Sequence, residues 1–311
     1  MASVNTATKT DPSRRPHRRR PAAVGTAAAG ALLLAACGGG ATTTGGDAPA
    51  GGHGPEHAPA VHSHIHGLGI DPDGGGLYVA THEGIFTADA SGRPQPVGES
   101  KDDFMGFTVA GKGTFLASGH PAPGGDQPGS HGLIKSTDAG KSWKTTSLKG
   151  EADFHALDYA KNTIYGYDSS GGLLRVSEDG VTWQDRARLQ ALDIAVNPAD
   201  PDLIVATTSE GVARSADGGR TFAPGRLPAM EFVSWASPDA LFGVDFTGAL
   251  SVSADGGATW KKTATVPGGQ PQALTAVNAR HILAATQNGV YESKDAGKTF
   301  TKRLAVADGG H

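Results

Sequence analysis

The stretch V-H-S-H-I-H-G-L-G, residues 61–69, places His62, His64 and His66 at every second position. On a β-strand that period puts three imidazoles on one face, with neighbours about 6.5–7 Å apart. Imidazole suits Cu, Zn, Ni and Fe, so such a face is a candidate metal surface. His82, His120 and His155 follow along the chain, and Met105 adds a thioether, a ligand that prefers Cu(I). Nine of the eleven histidines after residue 36 lie between residues 53 and 155, so any site they share belongs to the first half of the folded part.

The elements that would position these residues are set by a repeat. S-T-D-A-G-K-S-W (136–143), S-E-D-G-V-T-W (177–183), S-A-D-G-G-R-T-F (215–222), S-A-D-G-G-A-T-W (253–260) and S-K-D-A-G-K-T-F (293–300) are one phrase in five copies. Asp138, Asp179, Asp217, Asp255 and Asp295 are 41, 38, 38 and 40 residues apart, and a degenerate copy, T-A-D-A-S-G (87–92), precedes them. A period of this length marks a propeller or a solenoid. The phrases resemble the Asp-box, or BNR repeat, of sialidases, sortilin-type receptors and the photosystem II assembly propeller. The resemblance covers residues 64–304 and extends to bacterial lipoproteins loosely labelled glycosylhydrolase or exo-α-sialidase. In such a turn the Asp accepts backbone N–H groups and Gly supplies a positive φ, so these aspartates are expected to be structural. The copy at 177–183 is one residue short, and its turn is expected to differ.

Each unit also shows β-like runs, as in A-L-D-I-A-V-N-P, D-L-I-V-A-T-T, G-V-A-R-S and F-A-P-G-R-L of the fourth. Four strands in each of six units give an all-β, six-bladed β-propeller over residues 61–311, with strands A to D running outward from the axis. The repeated phrase closes the C–D hairpin. The B–C loops and the starts of the A strands then share the opposite face. Aligned on their apolar cores, the first three A strands are Gly67-Leu68-Gly69-Ile70, Gly106-Phe107-Thr108-Val109 and Ala156-Leu157-Asp158-Tyr159. His66, Met105 and His155 stand immediately before them, and His64, Asp103 and Asp153 two positions earlier. Leu192 and Glu231 take the first of these positions in blades four and five.

The expected metal set at the channel mouth is therefore His64, His66, His82, Met105, His120 and His155, for Cu or Zn. A metal-free polar pocket for a small ligand or a partner protein fits the same residues. Met105 also fits plain channel packing. His53, His57 and His62 are assigned to the solvated tether, and His131 and His281 to loops. The Gly/Pro-rich stretch 121–131 lengthens one B–C loop and has the composition of a lid.

Glycoside hydrolysis is the alternative, with Glu83, Asp168 and Asp245 as candidate catalytic carboxylates and Glu231 beside them. A sialidase needs three arginines around the substrate carboxylate, a Tyr–Glu nucleophile pair and an acid/base Asp. None of the nine arginines after the tether is expected at a loop-face position, and the R-I-P opening motif is absent. There is no G-x-S-x-G in a strand–turn–helix setting and no phosphate loop. The balance favours a binding protein over an enzyme.

The N-terminal part reads as an export signal (1–36): five arginines between Arg14 and Arg20, then an apolar stretch, 27–36, too short to span a bilayer. Leu34-Ala35-Ala36-Cys37 resembles the bacterial lipobox, which implies a lipidated Cys37 and a site on the outer side of the cytoplasmic membrane. Cys37 is the only cysteine, so no disulfide stabilises the rest. Residues 37–60 form a disordered Gly/Ala/Pro/Thr tether. Residues 1–36 carry six of the 27 basic groups and one of the 31 acidic ones, leaving a formal charge of −9. That charge argues against a nucleic-acid partner. Lipid anchoring predicts that Cys37→Ala moves the protein from the membrane fraction to the soluble fraction; an unchanged partition contradicts it.

Overall fold

The computed structural model describes Val61 and residues 63–124 and 129–306. The expected signal peptide, Cys37, the tether and His62 lie outside the described residues, as do 125–128 of the expected lid. Within them the chain forms 24 strands in six antiparallel sheets of four, each made of consecutive strands. The inner strand of each blade packs against that of the next, and the sixth returns to the first. This is the expected six-bladed β-propeller. Among the described residues no helix is long and apolar enough to cross a membrane.

Strand alternation explains the ring. Successive side chains point to opposite faces, and in a propeller both faces meet a neighbouring blade. In blade four Ile204 and Ala206 join the cluster shared with blade three, whereas Val205 joins the one shared with blade five. Six such clusters fill the six interfaces. Closure comes from the segment that leads into blade one. Val61 is 1% exposed, pairs in parallel with Val306 and donates its N–H to Ala305 O at 3.1 Å. Its side chain lies in the cluster between blades six and one.

The repeated phrases build one turn. Asp217 Oδ1 accepts Ser215 Oγ–H (2.8 Å) and Thr221 N–H (2.9 Å), Oδ2 accepts the Thr221 hydroxyl (2.7 Å), and Gly219 N–H donates to Ser215 Oγ (2.9 Å). Asp138, Asp255 and Asp295 repeat this pattern. In the short copy Asp179 Oδ1 takes Val181 N and Thr182 N instead, at 2.8 and 2.6 Å. The Thr221 hydroxyl and amide hold Asp217 down at about 2. The turn needs two successive left-handed residues. The first is Gly218 or Gly256 in two copies but Ala139 (φ 60°) or Ala296 (φ 64°) in two others. Alanine there costs about 1–2 kcal/mol relative to a right-handed conformation.

One arginine expectation is corrected. Arg188 ends the outer strand Gln184–Arg188 on the loop face and donates to Gly171 O in the B–C loop at 2.7 Å. The outer strand returns to that face, which a reading of sequence distance from the turn overlooks. Ser215 is buried, so Ser215→Ala leaves Gly219 N–H unpaired and should cost about 1–3 kcal/mol in urea unfolding. A loss below about 0.5 kcal/mol, typical of a neutral surface change, contradicts that role.

Candidate metal centre

The starts of three inner strands share a three-residue pattern. His64-Ile65-His66, Asp103-Phe104-Met105 and Asp153-Phe154-His155 each place one large apolar residue between two others. Ile65, Phe104 and Phe154 are all 0% exposed, so each triplet is anchored by its middle side chain in a blade interface. The register of the inner strand against its neighbour then shifts by one residue at His66, Met105 and His155, and again at Gln272 in blade six. A bulge re-aims the side chain at the extra residue. His66 and His155 line the channel, a cavity of about 430 Å³ walled by the inner strands.

Two ligand groups result. His66, His82 and Asp103 bring one donor atom each within 4.8 Å of the others, and so do His120, Asp153 and His155. In the first, His66 Nε2 lies 3.2 Å from His82 Nδ1, and Asp103 Oδ1 lies 2.9 Å from His82 Nδ1 and 3.9 Å from His66 Nε2. In the second, Asp153 Oδ2 is 2.9 Å from His155 Nε2 and 3.4 Å from His120 Nε2. Donors bound to zinc at 2.0–2.1 Å stand about 3.3 Å apart in a tetrahedron, so these spacings fit a shared ion. Asp103 Oδ1 and Asp153 Oδ1 are buried and accept no hydrogen bond. Burial, then the rings of His82, His64, His155 and His120, push His66 down to about 3 and keep it neutral, the form that binds metal. Burial raises Asp153, but the hydrogen bond from His155 and the nearby imidazoles outweigh it and hold the carboxyl below its usual range.

Of the six expected ligands, His66, His82, His120 and His155 stand in these groups. His64 stands beside the first: its ring is 4.8 Å from that of His66, and its Nδ1 meets Gln272 Nε2 at 3.1 Å. Met105 occupies a bulge, but the donor from its strand is Asp103, two residues earlier. Asp103 and Asp153 align with His64 in sequence but are not among the expected ligands. The signal for them was the shared triplet: Asp-Phe-Met and Asp-Phe-His repeat the spacing of His-Ile-His.

The candidate catalytic carboxylates lie elsewhere. Asp168 is 2% exposed, accepts Ser170 Oγ–H and Asp153 N–H, and pairs with Arg175 at 3.3 Å. Asp245 closes its own turn through Thr247 N–H, Thr247 Oγ–H and Ala249 N–H. Glu83 is exposed in the first B–C turn. Glu231 lines a separate groove with Leu192, Met230 and Phe246, and burial raises its pKa. His131 is buried against Asp102 (3.2 Å), and Asp102 also takes Ala122 N–H, so that pair ties together the described ends of the 121–131 loop. His281 pairs with Glu292 at 2.7 Å.

No protein-family model matches the chain, and no curated protein matches its sequence. Solved structures match its fold. An ancestral GH74 enzyme is 14% identical with a TM-score of 0.50, over 80% of this chain and 39% of that one, so this chain spans well under half its length. A streptogramin B lyase is 15% identical with a TM-score of 0.54, over 79% and 85% of the two chains. A catalytically inactive virginiamycin B lyase from Staphylococcus aureus, in complex with quinupristin, is 12% identical with a TM-score of 0.53, over 78% and 85%. At these identities the likeness is one of fold.

Below the mouth, two carboxylates enclosed by the channel wall bind the inner strands together. Asp158 accepts Val196 N–H of the next blade at 2.7 Å, and Asp193 accepts Val233 N–H at 2.9 Å. Burial pushes Asp158 up to about 6 and Asp193 up to about 7, against the pull of those amides. The folded state thus holds the Asp193 proton more tightly than the unfolded state. Its stabilisation is complete below about pH 4 and is lost as pH rises through about 7. The stability difference between wild type and Asp193→Asn should therefore fall between pH 4 and 7 and level off above; a difference independent of pH contradicts this.

Proposed function

We propose that this chain is a lipid-anchored, extracytoplasmic propeller that binds a transition metal, copper or zinc, at the loop-face mouth of its channel. The observation that carries the reading is the convergence of His66, His82 and Asp103, and of His120, Asp153 and His155, with donor atoms within 4.8 Å in each group. Two imidazoles and one carboxylate are a donor set that zinc and copper accept, and three protein ligands leave a coordination position open. A small ligand or a partner protein reaching the mouth would complete the shell. The anchoring half of the proposal rests on Leu34-Ala35-Ala36-Cys37 and on the Gly/Pro-rich residues that follow. The Asp-box resemblance supports the same placement, since the similar bacterial propellers are lipoproteins.

Glycoside hydrolysis has less support. Asp168 spends both oxygens on the Asp153 amide, the Ser170 hydroxyl and Arg175, and Asp245 Oδ1 takes three donors of its own turn. The GH74 likeness is one of fold over part of a longer chain.

Titration of the full chain with Zn²⁺ and Cu²⁺, followed by calorimetry and elemental analysis after dialysis, tests the reading. Wild type should retain metal. His66→Ala combined with His155→Ala removes a ligand from each group and should weaken binding by more than the 10–100-fold typical of outer-shell changes. Absence of binding, or binding unchanged in the double variant, overturns the proposal.

A further inference from the structure

His120 stands between the two groups. Its Nε2 lies 3.4 Å from Asp153 Oδ2, inside the second group, and its Nδ1 lies 3.5 Å from Asp103 Oδ2. The other oxygen of Asp103 faces His82 and His66 in the first group, at 2.9 and 3.9 Å. A histidine that binds metal through one ring nitrogen almost always donates the other N–H to a carboxylate or carbonyl. That bond fixes the tautomer and the ring, and its loss costs 10–100-fold in affinity. Asp103 is placed to do this for His120 while offering its own Oδ1 as a ligand. Asp153 holds no double position, because the imidazoles that its Oδ2 meets, His155 and His120, both belong to its own group, and its other partner there is the Ser169 hydroxyl at 3.4 Å.

We propose that the mouth holds two divalent transition-metal ions in two sites coupled through Asp103, which is a ligand of the first ion and the orienting acceptor for the His120 that binds the second. This rests on the metal reading above and goes beyond it in number and in linkage. The imidazole of His120 separates the two sites, since one ring nitrogen faces each carboxylate. The charge of Asp103 lies between the ions, where it offsets their repulsion. Donation of Nδ1–H across the 3.5 Å to Asp103 Oδ2 would place the free lone pair on Nε2, as coordination requires.

Zinc binding by the full chain, measured by calorimetry and by elemental analysis after dialysis, separates the outcomes. Wild type should hold two Zn²⁺ per chain. Asp153→Ala should lose one ion and keep the other at wild-type affinity. Asp103→Ala should also lose one ion, but the ion it keeps should bind about 10–100-fold more weakly. Circular dichroism checks that each variant is folded. If Asp103→Ala does not fold, the isosteric Asp103→Asn replaces it, because one amide oxygen can serve only one of the two roles. Two ions in wild type with equal residual affinity in the Asp103 and Asp153 variants overturns the coupling. One ion in wild type overturns the pair and leaves the metal reading standing. No ion overturns both.

Discussion

Four of the six residues in the two ligand groups, His66, Asp103, Asp153 and His155, are each held by an apolar neighbour buried between blades. Ile65, Phe104 and Phe154 are each 0% exposed, and each sits between two side chains of the rim. Because strand side chains alternate, sinking the middle residue into the interface forces its neighbours to the other face. The bulge one residue later turns the second of them toward the axis. Those four donors are thus fixed by core packing, while His82 comes from the first B–C turn; core anchoring suits ligand atoms that must stay within about 0.5 Å of their positions. Even His120, at the end of its strand, is placed by pairing opposite Asp103 in the same sheet.

Ring closure and site assembly are the same event. Val61 fixes the incoming chain against the last outer strand, and His64 follows three residues later. Ile65 N–H then donates to Gln272 Oε1 of blade six at 3.2 Å, and the amide nitrogen of that side chain meets His64 Nδ1. Blade six therefore holds the first triplet from one side, while the cluster around Phe104 and Phe107 holds blade one from the other. An open ring would leave His66 without one wall of the channel it lines. The closing contact is small in area yet sits at the entry to the site.

How far the sequence reaches follows from the kind of signal each feature leaves. The repeated turn is legible because its chemistry is local: within each S-x-D phrase, hydroxyl, carboxylate and amide all lie within four residues or so, at fixed offsets. Six such units imply the ring without any knowledge of long-range contacts. The histidines are legible by type and by alignment on apolar cores. Asp103 and Asp153 are less legible, because carboxylates at a propeller mouth are common and the shared triplet alone does not separate a ligand from a solvated acid. Their role appears only when His82 and His120 arrive from the B–C loops. The bulges also escape a period-two reading, since the extra residue is visible only against the partner strand. Arg188 shows the same limit: its distance from the turn in sequence says little about which face its guanidinium reaches.

Mouth and channel treat carboxylates in opposite ways, and the contrast bears on where the proposed ion would rest. At the rim the hydrogen bond from His155 and the nearby imidazoles outweigh burial and hold Asp153 below its usual range, so it is ionised at neutral pH. Along the wall Asp158 and Asp193 are pushed up to about 6 and 7 by burial, and each takes two backbone amides. A cation leaving the rim would exchange carboxylate and imidazole donors for a wall of Phe107, Val109, Leu157 and Ile194 together with the neutral hydroxyls of Thr108, Ser234 and Thr275. The wall carboxylates offer little in return, because their oxygens already accept N–H bonds that hold neighbouring blades together. Taking an ion there would mean surrendering those bonds. For the proposed ion, the donor geometry favours retention at the mouth over passage through the ring.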